Sequence, residues 1–106
     1  MAKNLNHFVH HVYFWFKKPV SGKDKTRFEE ALKKLAAIET ISEVHLGVPA
    51  STRRDVVDRS YTYSLLTIFK NKEDHDIYQT HPVHLNFIEE CSDLWENVLV
   101  YDSVSI

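Results

Sequence analysis

The chain has 106 residues, enough for one domain with a single core and short for two. Lys and Arg (13) nearly balance Asp and Glu (15), so the net charge of -2 gives no basic surface for nucleic acid or anionic lipid. The single cysteine, Cys91, rules out an intrachain disulfide and a cysteine-based zinc cluster. No apolar run approaches the roughly 20 residues of a membrane span. These features favour a cytoplasmic protein without nucleic-acid or membrane partners.

The first predicted element is a strand over 8–16, where every residue is aromatic, β-branched or histidine. Its side chains alternate between two faces. We expect one face to point towards the helices and line a pocket, and the other to form an intersubunit surface. The first set is Val9, His11, Tyr13 and Trp15; the second is His10, Val12, Phe14 and Phe16.

The next elements follow from capping residues and periodicity. Ser21 and Asp24 form a capping-box variant, and apolar residues at helical spacing from Phe28 onwards predict a helix over about 23–38. Strands are predicted over 41–48 and 61–69, separated by a polar loop over 50–60 that carries mixed charges. The loop charges indicate solvated surface beside the pocket mouth or a partner subunit.

The last third of the chain predicts two helices and a strand. Asn71 caps a short helix that contains Tyr78, and Pro82 is suited to the first position of a second helix reaching about Trp95. On this second helix His84, Phe87 and Cys91 share one stripe, so they should face the sheet. A fourth strand is predicted over 98–106.

This order predicts an α+β fold of ferredoxin-like βαββαβ type, with a four-stranded antiparallel sheet and helices on one face. The helix-free face would expose a large apolar surface on a monomer. We therefore predict a homodimer in which two sheets pack face to face through His10, Val12, Phe14 and Phe16.

Two motifs resemble those of the stress-responsive dimeric α+β barrel family. One is the opening strand, His11-Val12-Tyr13-Phe14-Trp15-Phe16-Lys17, and the more specific one is His81-Pro82-Val83-His84-Leu85-Asn86-Phe87. The resemblance extends over nearly the whole chain, so it implies a single domain over 1–106. It implies a dimeric α+β barrel with a pocket between the sheet and the helices.

The resemblance also implies roles for individual residues. A polyketide cyclase of this family closes its product by an aldol reaction, and its catalytic histidine and tyrosine correspond to His84 and Tyr78. Its first-strand pocket histidine corresponds to His11. Two pocket positions depart from the enzyme, since Tyr63 replaces a histidine and Ala31 replaces a tyrosine. Substrate-binding positions implied by the resemblance or by the strand pattern are His11, Tyr13, Trp15, Phe28, Tyr63, Phe87 and Trp95.

A histidine near neutral pKa can remove a proton from a carbon next to a carbonyl, and a tyrosine hydroxyl can stabilise the enolate oxygen. This chemistry predicts a cofactor-independent lyase or cyclase acting on an aromatic or polyketide-like carbonyl compound, with a small apolar or aromatic ligand. A cofactor-free monooxygenase and a non-catalytic stress or interaction module remain alternatives. In the last of these, His84 bonds to Tyr78 or to backbone and closes the helix junction.

No metal site and no cofactor are predicted. His7 and His11 are too far apart along a strand to share an ion, and no third ligand is evident beside His81 and His84. Cys91 is interpreted as a small apolar filler rather than a nucleophile, because no neighbouring cation in the sequence would lower its pKa.

Overall fold

In the computed structural model, which describes Met1–Ile106, four strands form a single sheet with three helices. The strand order is β2-β3-β1-β4, and every neighbouring pair is antiparallel. This confirms the predicted ferredoxin-like architecture. The elements are β1 (Phe8–Phe16), α1 (Gly22–Leu35), β2 (Glu43–Gly47), β3 (Tyr63–Phe69), α2 (Lys72–Thr80), α3 (Pro82–Cys91) and β4 (Trp95–Val104).

Local signals set the start of each helix where the sequence predicted it. The Ser21 side chain accepts a hydrogen bond from the Asp24 backbone N–H at 3.0 Å, and Asn71 accepts one from Asp74 at 2.9 Å. The ends differ from expectation. α1 stops at Leu35 rather than near residue 38, and α3 stops at Cys91, so Trp95 begins β4 opposite Phe16.

The core lies between the helices and one face of the sheet, and aromatic rings fill its centre. Phe28 on α1 is fully buried and contacts Phe14 and Phe16 of β1, with ring centroids 5.1 and 4.8 Å away. Phe87 of α3 closes the cluster at 5.6 Å from Phe28. Such contacts prefer the edge-to-face and tilted arrangements seen here.

The predicted orientation of β1 was wrong. His10, Val12, Phe14 and Phe16 point under the helices and are buried, whereas the set containing His11, Tyr13 and Trp15 lies on the helix-free face and is only half-buried. The alternation was predicted correctly but the sides were exchanged. Phe14 and Phe16 have no polar atom and gain most from full burial, while the imidazole, phenol and indole of the other set each keep a polar atom within reach of solvent or a partner.

The helix-free face presents several apolar and aromatic side chains. The strand register places Leu66 and Tyr101 on either side of His11, and places Leu99 beside Tyr13. The Tyr13 ring lies 4.9 Å from that of Tyr61 and 6.3 Å from that of Tyr101. No helix of the chain is both long and apolar enough to cross a membrane.

Candidate functional site

The junction between α2 and α3 brings Tyr78 and His84 together. His81 ends α2 and caps α3; its backbone is extended (φ -63°, ψ 137°), as expected of a residue before proline. Its Nδ1 accepts a hydrogen bond from the Val83 backbone N–H at 3.1 Å, and Pro82 begins α3. The resulting bend places the rings of Tyr78 and His84 4.7 Å apart, measured between centroids.

A cavity of about 210 Å³ lies beside these two rings, lined by residues of α2, α3 and the sheet. Its polar lining consists of His10, Tyr78, Gln79 and His84. The remaining walls are apolar, and the largest of them are contributed by Phe14, Phe87 and Trp95. This cavity is partly open to solvent, and a mostly apolar concave space with a few convergent polar groups is the usual form of a small-molecule site.

His84 is half-buried, and its Nδ1 is a buried atom that makes no hydrogen bond of normal geometry within the chain. Burial lowers the pKa of His84 below its usual 6.5, and the backbone of Gln79 opposes that shift in part. The imidazole is therefore neutral at pH 7, with a nitrogen lone pair available to accept a proton.

Tyr78 is almost fully buried, and burial raises the pKa of its phenol well above the usual value of 10. The hydroxyl consequently stays protonated throughout the neutral range and acts as a hydrogen-bond donor. A protonated phenol beside a neutral imidazole supplies one donor and one proton acceptor at the same end of the cavity.

His10 is the histidine that β1 contributes to the cavity. Its Nδ1 lies 2.5 Å from Oδ1 of Asp102 on the neighbouring strand β4. Burial lowers the pKa of His10, while the hydrogen bond and charge of Asp102 act in the opposite direction. Because a carboxylate only accepts, this contact fixes the proton on Nδ1 and leaves Nε2 as the acceptor in the neutral ring.

The structure brings four of the residues assigned from the sequence to one cavity, namely Tyr78, His84, Phe87 and Trp95. Phe28 lies behind the wall, where it packs on Phe14 and Trp95.

Four other assigned residues lie elsewhere. His11, Tyr13 and Trp15 occupy the opposite face of the sheet and cannot contact a ligand held by His84, which corrects their assignment to this pocket. Tyr63 adjoins a separate groove beside Leu46, where its hydroxyl donates to Glu29 at 2.6 Å.

Sequence reasoning missed His10, Gln79 and Asp102. The apolar character of Val12, Phe14 and Phe16 was the available signal for His10, since these residues share its face and are the set best suited to the core. Gln79 directly follows Tyr78 at the helix junction. Asp102 had no comparable signal, because its contact with His10 depends on the register of two strands at opposite ends of the chain.

The fold and this cavity define a ferredoxin-like α+β domain with a pocket between its sheet and its second and third helices. The sequence profile of one family, the Stress Responsive A/B Barrel Domain, matches residues 8–105. The chain belongs to this family, as the sequence motifs predicted. No curated protein matches the chain.

Solved structures with the same fold cover nearly the whole chain. A family member from Mesorhizobium loti is 22% identical, with 94% of this chain and 97% of that one covered and a TM-score of 0.77. A hydroxynitrile lyase from Passiflora edulis is 20% identical, with 93% of each chain covered and a TM-score of 0.76. A protein from Thermobifida fusca, described as dimeric and ferredoxin-like, is 16% identical, with 98% and 96% covered and a TM-score of 0.74.

Proposed function

We propose that the protein binds a small carbonyl compound in the cavity beside Tyr78 and His84 and acts on it as a cofactor-independent lyase or cyclase. The observation that supports this proposal most strongly is a buried imidazole nitrogen that makes no hydrogen bond of normal geometry within the chain, next to a buried phenol and a mostly apolar cavity. In this proposal His84 removes a proton from the carbon next to the carbonyl. Tyr78 donates a hydrogen bond to the oxygen on which negative charge develops.

The size of the cavity bears on the substrate. At about 210 Å³ it is smaller than the roughly 300–1,000 Å³ of sites for drug-sized ligands. An apolar cavity of about 150 Å³ is known to hold benzene. The space therefore fits a substituted single aromatic ring or a short-chain carbonyl compound better than an extended polyketide. A neighbour that is a hydroxynitrile lyase, although similar in fold alone, supports lyase chemistry on a small compound.

Blocking the cavity tests ligand binding. Val100 lines it, is partly exposed, and lies opposite Val12. We expect Val100→Trp to fill the space and weaken binding by about tenfold or more, because an occupied cavity has no room for a ring without strain. The measurement is ligand-observed NMR with aromatic aldehydes, ketones and their hydroxynitriles, followed by assays for turnover of each compound that binds.

Val104→Trp is the matched control, since Val104 lies on the same strand and side but opposite Phe8, outside the cavity lining. It should bind as the wild type does. Equal weakening by both substitutions, or no binding by the wild type across the panel, would contradict the site. Binding without turnover of any compound would favour a non-catalytic binding module.

We also propose that the protein forms a homodimer through the helix-free face of the sheet. Neighbours of the same fold are described as dimeric. On this chain the surface around Tyr13, Leu99 and Tyr101 is the apolar area that the helices leave uncovered. A twofold axis through the surface would cover it on both copies at once.

Leu99→Asp should dissociate this dimer into folded monomers. Leu99 is 40% exposed in the single chain, so the substitution introduces a charge into the proposed interface without disturbing the core. Analytical ultracentrifugation at micromolar concentration reports the mass. Ile77→Asp places the same charge on the outer surface of α2, at a residue that is 50% exposed, and should remain dimeric. A dimeric Leu99→Asp protein would locate the interface elsewhere.

A further inference from the structure

Beside the cavity, three side chains from different elements converge on one point. They are His10 of β1, His75 of α2 and Asp102 of β4, and one ligand atom from each lies within 4.8 Å of the others. Both histidines are almost completely buried, with exposures of 4% and 8%, whereas Asp102 lies at the accessible edge of the sheet. Two imidazoles and one carboxylate constitute a donor set typical of zinc and other divalent transition metals.

We propose that His10, His75 and Asp102 form a binding site for a divalent transition-metal ion, with Zn²⁺ the best match. The site was not expected from the sequence, which predicted no metal site and placed His10 on the side of the sheet away from the helices. His75 sits in the middle of a short helix, and Asp102 reaches His10 through strand pairing. Neither relationship has a characteristic spacing in the sequence.

The packing around the histidines holds them in place before a metal arrives. The His75 ring lies 4.4 Å from that of Phe8 and 5.4 Å from that of Phe69, and it lies 5.0 Å from the His10 ring. Imidazoles fixed in this way lose little side-chain freedom when they bind a metal.

A hydrogen bond on the far side of the His75 ring selects the tautomer that can bind a metal. Its Nδ1 lies 3.2 Å from the Asp76 carboxylate, which only accepts, so Nδ1 carries the proton and Nε2 carries the lone pair. A carboxylate behind the non-ligating nitrogen is the usual arrangement around metal-bound histidines. Gln79 contacts Nε2 at 3.2 Å and would have to give way.

Two changes would complete the coordination. Donor atoms on one Zn²⁺ are roughly 3–3.5 Å apart when each bond is about 2.1 Å, so the 2.5 Å contact between His10 and Asp102 must lengthen, by rotation of the exposed Asp102 side chain, and the separations near 4.8 Å must shorten. The proton between His10 and Asp102 would leave as the metal takes its place.

Zinc titration of tag-free protein by isothermal calorimetry tests the site, with Co²⁺ absorption as a report of tetrahedral coordination. We expect one ion per chain in the wild type. His75→Phe keeps a ring between Phe8 and Phe69 but removes the donor, and Asp102→Asn keeps the shape but removes the charge. Each should weaken binding by roughly 10- to 100-fold or more, since even loss of an outer-shell partner has that effect.

His45→Ala is the matched control, because His45 is an exposed histidine of β2 away from this cluster. It should bind zinc as the wild type does, and circular dichroism should show that all variants are folded. The absence of one-to-one binding in the wild type, or unchanged binding in both cluster variants, would overturn the proposal. The titration contains no carbonyl compound, so its outcome is independent of the function proposed for His84.

Discussion

Replacing His84 by alanine should reduce turnover of a carbonyl substrate by roughly 10²- to 10⁴-fold, the usual contribution of a positioned general base. The ring is the one proton acceptor that the α2–α3 junction presents to the cavity next to Tyr78. Its buried Nδ1 makes no hydrogen bond of normal geometry within the chain, so the substitution breaks no well-formed polar contact at that atom. The measurement is kcat/KM on a compound identified in the binding panel.

The variant Tyr78→Phe tests whether the Tyr78 hydroxyl only assists the step in which His84 removes the proton. Removal of the hydroxyl alone should reduce turnover less than His84→Ala does, and the double variant should resemble His84→Ala, because residues that act in one step are not additive. Unfolding curves of the single variants control for lost packing. Full activity in His84→Ala would contradict the assignment of this residue as the base.

The pH dependence of kcat/KM also tests proton removal by His84. Burial lowers the pKa of His84 below 6.5, so the base form predominates at neutral pH and is lost as the pH falls through the lowered value. Tyr78 remains protonated across this range because its pKa is raised. We therefore expect kcat/KM to fall only on the acid side of neutrality and to stay level from pH 7 to about 8.5.

The contact between Tyr78 and His84 was predictable because it is local. The two residues are separated by a single proline junction, and helix periodicity with the conformation required before Pro82 determines how they face. The helix starts at Ser21 and Asn71 were predictable for the same reason, since each cap lies three residues from its hydrogen-bond partner. Signals of this kind depend only on neighbouring residues.

Which other residues line the cavity depends on the pairing of strands that are distant in the sequence. Alternation along β1 divides its residues into two sets but does not state which set the helices cover. His10 was consequently assigned to the wrong side, and His11 was placed in the pocket. The pairing of His10 with Asp102 spans 92 residues and depends on the β1–β4 register, which no local pattern in either strand specifies.

Phe14→Asp should unfold the chain rather than separate its subunits. Phe14 is 3% exposed and contacts Phe28, Phe87 and Trp95, with centroid distances of 5.1, 6.2 and 5.0 Å. Loss of a buried phenylalanine ring alone costs about 3–5 kcal/mol. An unpaired carboxylate in the same place adds a desolvation penalty. Because a domain of this size has roughly 5–15 kcal/mol of stability, most of the folded population should be lost.

Far-UV circular dichroism and urea titration measure this effect, and Phe14→Leu provides the graded comparison. Leucine keeps most of the apolar contact, so that variant should stay folded with a loss of roughly 1–2 kcal/mol. Leu99→Asp introduces the same charge on the opposite face of the sheet and should leave the fold intact. A folded, monomeric Phe14→Asp protein would instead place Phe14 on the intersubunit surface, in conflict with the packing of β1 under the helices. The two aspartate variants therefore test which side of β1 faces the core. Phe14→Asp should unfold the chain, whereas Leu99→Asp should only dissociate the dimer.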